Sequence, residues 1–202
     1  MSERRRFCPS DLPPICEREV LRYMRAGEAT DEVRTFLRDC IDEARDAFSY
    51  RVCWRHFDVH MQENAIDLGF AVTDSAALQK NLVGCDGVIL FAATVGLGID
   101  RLITRYTRLS PARAVCLGAI GAERIEALCD KFCGQVAAEY QQQGRVLRPR
   151  FSPGYGDLPL SLQREIFRVL DCPRQIGLSL NESLLMSPTK SVTAFVGVSR
   201  KD

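Results

Sequence analysis

The stretch SPARAVCLGAIGAERIEALCDKFCGQVAAEYQQQG, Ser110 to Gly144, limits the possible folds of this chain more than any other. A serine caps it, proline takes the first helical position and glycine stops it, which predicts one long helix. Gly118 and Gly121 lie inside, each costing about 1 kcal/mol relative to alanine, so close packing of a neighbour is the expected compensation. Helices draw most of their stability from the packing of their faces, so the rest of the chain has to supply a surface for this one.

That surface reads as strands mixed with shorter helices. TDEVRTFLRDCIDEARDAF opens with the cap Thr30 and acidic residues, then repeats apolar groups at Val33, Phe36, Leu37, Cys40, Ile41, Ala44 and Phe48, the pattern of an amphipathic helix. YRVCWRHFDV predicts a strand, MQENA a turn and DLGFAV a second strand. DSAALQKNL predicts a short capped helix, and glycine-bounded GVILFAATVG a buried strand. Leu162, Ile166, Phe167 and Leu170 fall on one side of a further short helix, after which IGLSLNESLLM and SVTAFVGV predict a hairpin around SPTK. Helices and strands do not alternate regularly, so the expected class is α+β: a single domain over residues 1–202, with a largely antiparallel twisted sheet flanked by helices.

Lys and Arg number 27 against 26 Asp and Glu, so charge gives no reason to expect a nucleic-acid partner. Arg4 to Arg6 is a basic start without an apolar run behind it, read as a frayed terminus rather than a signal peptide. No apolar stretch approaches the roughly 20 residues of a membrane helix. A cytoplasmic location without a membrane partner is the expectation. Nine cysteines occur without any CxxC spacing, which favours reduced thiols over a disulfide or zinc framework. Cys40, Cys116, Cys129 and Cys133 fall within helical patterns, where cysteine packs as a small apolar group. Neither a catalytic residue nor a metal site is assigned.

Four patterns could hold a ligand. In TVGLGIDR, Gly96 and Gly98 follow a strand and precede a helix, but Arg101 stands where a dinucleotide fingerprint needs its third glycine, and a tight turn explains the pair better. Asp58 and His60 resemble the start of a cobalamin-ligating Asp-x-His-x-x-Gly run, with Glu63 at the glycine position. His56 and His60 would converge only on a helix, and this stretch reads as extended. The fourth is RPRFSPGYGDLP, Arg148 to Pro159. Pro153-Gly154 suits the centre of a type II turn, Arg150 offers a planar fork for a carboxylate, and Tyr155 an aromatic face with a polar tip. From composition alone a Pro/Gly connector with a solvated arginine is the more frequent case.

Wider similarity bears on that choice. Arg150-Phe151-Ser152-Pro153-Gly154-Tyr155, the helix Leu162 to Asp171, then Ile176, Gly177, Leu180, Glu182, Ser183, Met186, Pro188, Ser191 and Val192 keep the order and nearly the spacing of a known pattern. It resembles the AdoMet-binding activation domain of cobalamin-dependent methionine synthase, most strongly over residues 150–198. FAATVG, Phe91 to Gly96, and the long helix ending in AAEY carry a weaker likeness, so residues 86–198 form the family-like part and residues 1–80 match poorly.

The resemblance implies a stand-alone reactivation subunit that binds S-adenosylmethionine, with cobalamin carried by its partner, a methionine synthase core lacking this domain. It also implies a flavodoxin-like electron donor. By resemblance, Arg150 holds the methionine carboxylate, the Ser152, Pro153 and Gly154 backbone meets the adenosyl part, and Tyr155 faces ligand or corrin. Gln135 stands where the family has an acidic residue that contacts the ligand's cationic part. Two alternatives stay open: a corrinoid-protein docking or scaffold protein of this fold that does not use S-adenosylmethionine, and a Rossmann-type methyltransferase built on Gly96 and Gly98, which requires a central parallel sheet.

Overall fold

The computed structural model describes residues 3–10, 12–27 and 29–201. Its centre is β6 (Gly87–Thr94), all eight residues of which are buried. Successive side chains of a strand point to opposite faces. Ile89, Phe91 and Ala93 accordingly join one core while Val88, Leu90 and Ala92 join another. Both faces of the sheet must therefore be covered, and the two groups of helices cover them.

The sheet runs in the order β1 (Arg5–Phe7), β2 (Arg51–Asp58), β6, β10 (Ser191–Arg200), β7 (Arg145–Leu147), each neighbour antiparallel to the next. The α+β expectation holds, and among the described residues every strand pairing is antiparallel, against the central parallel sheet that a Rossmann-type reading requires. On one face lie α1 (Glu17–Tyr23), α2 (Asp31–Ala44), α4 (Leu97–Leu109) and the long α5 (Pro111–Gln141), whose Leu128 and Phe132 share a core with Phe91. The other face carries α3 (Ala76–Asn81), α6 (Gln163–Leu170) and α7 (Cys172–Ile176), with Leu78, Ile166, Leu170 and Ile176 packed among Leu90 and Phe195.

Three local expectations differ from the structure. DLGFAV is not one strand: β4 (Ile66–Asp67) and β5 (Val72–Thr73) pair across a turn in which Gly69 has φ +76 and its amide donates to Asp67 Oδ1 at 2.8 Å. An aspartate two residues before a left-handed glycine is turn chemistry that outweighs the apolar run. The expected C-terminal hairpin is also absent. Gly177, at φ +68, ends α7; β8 (Ser179–Leu180) pairs with β9 (Met186–Ser187), while SVTAFVGV lies in the main sheet against β6 over eight residue pairs. Arg5 and Arg6 are not frayed but lie in the edge strand β1, where the Arg5 guanidinium sits 5.1 Å from the Trp54 ring centroid.

Within α5 the two glycines differ. A Cβ at Gly121 would lie 3.0 Å from the Lys190 side chain and 3.3 Å from Ile99, whereas Gly118 has nothing within 4 Å, so close packing accounts for one and not the other. The described cysteines are all free thiols, and burial pushes Cys133 up to about 11. Among the described residues no three His, Cys, Asp or Glu side chains come together as a metal site would need, and no helix is long and apolar enough to cross a membrane.

Candidate ligand cleft

The segment after β7 is fastened along its length. Phe151 exchanges two backbone hydrogen bonds with Phe195, at 2.9 and 2.7 Å. Upstream, Arg148 donates to the Val83 carbonyl at 3.0 Å and the Asn81 amide to the Pro149 carbonyl at 3.4 Å. The Tyr155 amide then donates to the Ser152 carbonyl at 3.2 Å with Gly154 at φ +90, the backbone that a type II turn requires of its third residue. Downstream, the Asp157 carboxylate accepts from the Ser75 hydroxyl and from the Ala76 and Ala77 amides at 2.8 and 3.1 Å, at the start of α3. These bonds, the Ser75 hydroxyl first, hold the Asp157 carboxyl below the usual carboxylate range. A free connector would have none of these anchors.

Between this segment, α5, α6 and β10 opens a cleft of about 560 Å3, within the roughly 300–1,000 Å3 typical of ligand sites. Arg150, Ser152, Pro153 and Tyr155 all line it, joined by Glu126 and Gln163. Gly154 does not line it; its amide donates to the Leu158 carbonyl at 2.9 Å, so its contribution is the turn. Gln135 lies in a separate groove beside Arg5, Trp54 and Phe132.

Arg150 is mostly covered, its side chain 26% exposed. One nitrogen, Nη2, donates both to Glu126 Oε2 at 3.0 Å and to Asp130 Oδ1 at 2.8 Å. Nε and Nη1 make no hydrogen bond among the described residues. Opposite charges thus face one another in the cleft wall, and the guanidinium keeps donors in reserve.

Sequence reasoning overlooked Gln163. It is 5% exposed, and its Oε1 is buried without a hydrogen-bond partner among the described residues. A signal was present: Gln163 precedes Ile166, Phe167 and Leu170 by three, four and seven residues, which puts a carboxamide in the apolar stripe of α6.

The remaining candidates are placed elsewhere. Gly96 takes φ +84 at the start of α4, and a Cβ at Gly98 would overlap the Ala47 carbonyl, so both glycines are accounted for by turn and packing. His56 lies within β2 with its ring edge-on to Tyr140 at 5.8 Å, and burial lowers its pKa; exposed His60 begins β3 (His60–Met61), and the two do not share a helix.

A family model described as "Vitamin B12 dependent methionine synthase, activation domain" matches residues 15–201. Among solved structures, the chain is similar to the crystal structure of the MetH reactivation domain bound to AdoHcy, with a TM-score of 0.72 and 16% identity over 99% of this chain and 79% of that one. At that identity the likeness shows the fold. Comparison with curated proteins gives no match.

Proposed function

The chain belongs to the vitamin B12 dependent methionine synthase activation domain family, and from that premise we propose that it binds S-adenosylmethionine in the Arg150 cleft and acts as a subunit for a separate methionine synthase core. That core carries the cobalamin and lacks a domain of this kind. The observation that carries the proposal is the meeting of Arg150, Ser152, Pro153 and Tyr155 in the wall of one cleft. S-adenosylmethionine supplies the methyl group, and a flavodoxin-like donor one electron, for the return of cob(II)alamin on the partner to its methylated form. A cytoplasmic setting belongs to the same proposal.

The chain's own part is binding and orientation. Both two-point forks of a guanidinium include Nη2, so a ligand carboxylate held bidentately by Arg150 displaces Glu126 or Asp130. The displaced carboxylate is then placed to meet the ligand's ammonium. Tyr155, 68% exposed beside the cleft, supplies an aromatic face on the side open to a docking partner.

Calorimetric titration of S-adenosylmethionine into the wild type and Arg150→Ala tests the binding step. Saturable binding, weakened about tenfold to a hundredfold in the variant, is expected for losing a hydrogen bond to a charged group. The hold of Glu126 and Asp130 on Arg150 favours the second reading, a corrinoid-protein scaffold that does not use this ligand. Capture of a corrinoid partner, undisturbed by Arg150→Ala and without any S-adenosylmethionine binding, would decide for the scaffold. Remethylation of a cob(II)alamin-loaded core at the same rate with and without this chain would sink the subunit role.

A further inference from the structure

The carboxamide of Gln163 has no structural task. It stands at the first position of α6, on the side where Ile166 and Leu170 enter the core, yet its Oε1 is buried and unpartnered among the described residues. Methionine at this position would continue the apolar stripe and remove the orphaned acceptor. Gln163 lines the same cleft as Arg150 and Tyr155.

The other neutral polar side chains of that wall are the hydroxyls of Ser152, Tyr155, Ser191 and Thr193. A hydroxyl rotates and serves as donor or acceptor at will, so it discriminates poorly between the two. A carboxamide presents one acceptor and one donor group side by side in a fixed plane. That is the complement of adenine, whose exocyclic amine neighbours a ring-nitrogen acceptor.

We propose that Gln163 selects the base of the bound nucleoside, its Oε1 accepting from the adenine amine and its Nε2 donating to the neighbouring ring nitrogen N7. This rests on the reading of the cleft as a site for S-adenosylmethionine and adds what chooses adenine within it. A hypoxanthine ligand carries a carbonyl in place of the amine and so shows two acceptors, O6 and N7, on that edge, which leaves Oε1 without a donor whichever way the amide turns.

The test is calorimetry of S-adenosylhomocysteine and S-inosylhomocysteine on the wild type, Gln163→Met and Gln163→Asn, with S-adenosylmethionine alongside. The wild type is expected to prefer the adenine ligand by about tenfold to a hundredfold, and both variants to bind the two ligands within about threefold of each other. Without ligand, Gln163→Met should melt above the wild type, because the orphaned acceptor is gone. Gln163→Asn keeps the amide and draws it back by one methylene. An adenine preference of equal size in wild type and variants overturns the base-reading role and leaves the cleft assignment standing. Failure of the wild type to bind S-adenosylmethionine or either homocysteine ligand overturns both.

Discussion

Two arginines are held by acidic residues of the same helix, and they are held differently. Arg124 is 3% exposed; its Nε and Nη2 grip both oxygens of Glu123 at 2.5 and 2.6 Å, while Nη1 donates to the Pro13 carbonyl at 2.7 Å. Glu123 also accepts from the Cys16 amide at 3.1 Å, so the pair ties the segment before α1 onto α5. Each of the three guanidinium nitrogens of Arg124 has a partner. Arg150 meets Glu126 and Asp130 through one nitrogen only, beside a cleft whose wall includes the unpartnered Gln163 acceptor. Buried polar groups of folded proteins are as a rule satisfied. Saturation therefore marks Arg124 as architecture, and unmet capacity next to the cleft is what supports the proposal that Arg150 and Gln163 hold a ligand.

The largest effect follows from breaking the saturated pair. Arg124→Ala leaves the Glu123 carboxylate buried without its partner and is expected to cost about 3–5 kcal/mol in denaturant unfolding, with ligand affinity of the folded fraction unchanged. Arg150→Ala should behave in the opposite way. Its partners Glu126 and Asp130 have side chains 43% and 72% exposed, so a stability change within about 1 kcal/mol is expected beside the loss of affinity. Equal unfolding costs for the two variants would erase the distinction.

The same contrast explains how much could be read from the sequence. The proline start and glycine stop of α5, the amphipathic α2 and the buried β6 are local patterns, and each forms where the residues place it, although Ser110 takes the N-cap position of α5 without a side-chain capping hydrogen bond. Thr30, for example, caps α2 by accepting from the Val33 amide. SVTAFVGV is as apolar as any hairpin strand, and its pairing is decided by a partner about a hundred residues away in β6. Sheet order is a long-range outcome that strand periodicity does not encode. For the site, Arg150 and the Pro153-Gly154 turn were legible because their chemistry is local. Glu126 was not, since only the crossing of α5 past the loop brings it to the cleft. Gln163 sits in the apolar stripe of α6, where Ile166, Phe167 and Leu170 dominate the pattern and mask a single amide.

Asp157 stands between the two extremes: a fully exposed carboxylate with three donors, fastening the cleft loop to α3. With its folded pKa depressed, the folded chain takes up this proton less readily than the unfolded one. The stability it contributes is complete above the unfolded value of about 4 and fades as pH falls through the lower folded value. Asp157→Asn keeps one acceptor oxygen and loses the second oxygen and the charge, so the drop in melting temperature at neutral pH is expected to be the smallest effect of the series. Melting curves of wild type and variant should converge in acid. Affinity for S-adenosylmethionine should fall by more than that stability change implies, because the Ser152 to Tyr155 turn hangs from the same anchor. A melting difference that persists unchanged to low pH would mean that the charge does not fasten the loop, and the boundary between architecture and site would then lie upstream, at the Phe151 to Phe195 bridge.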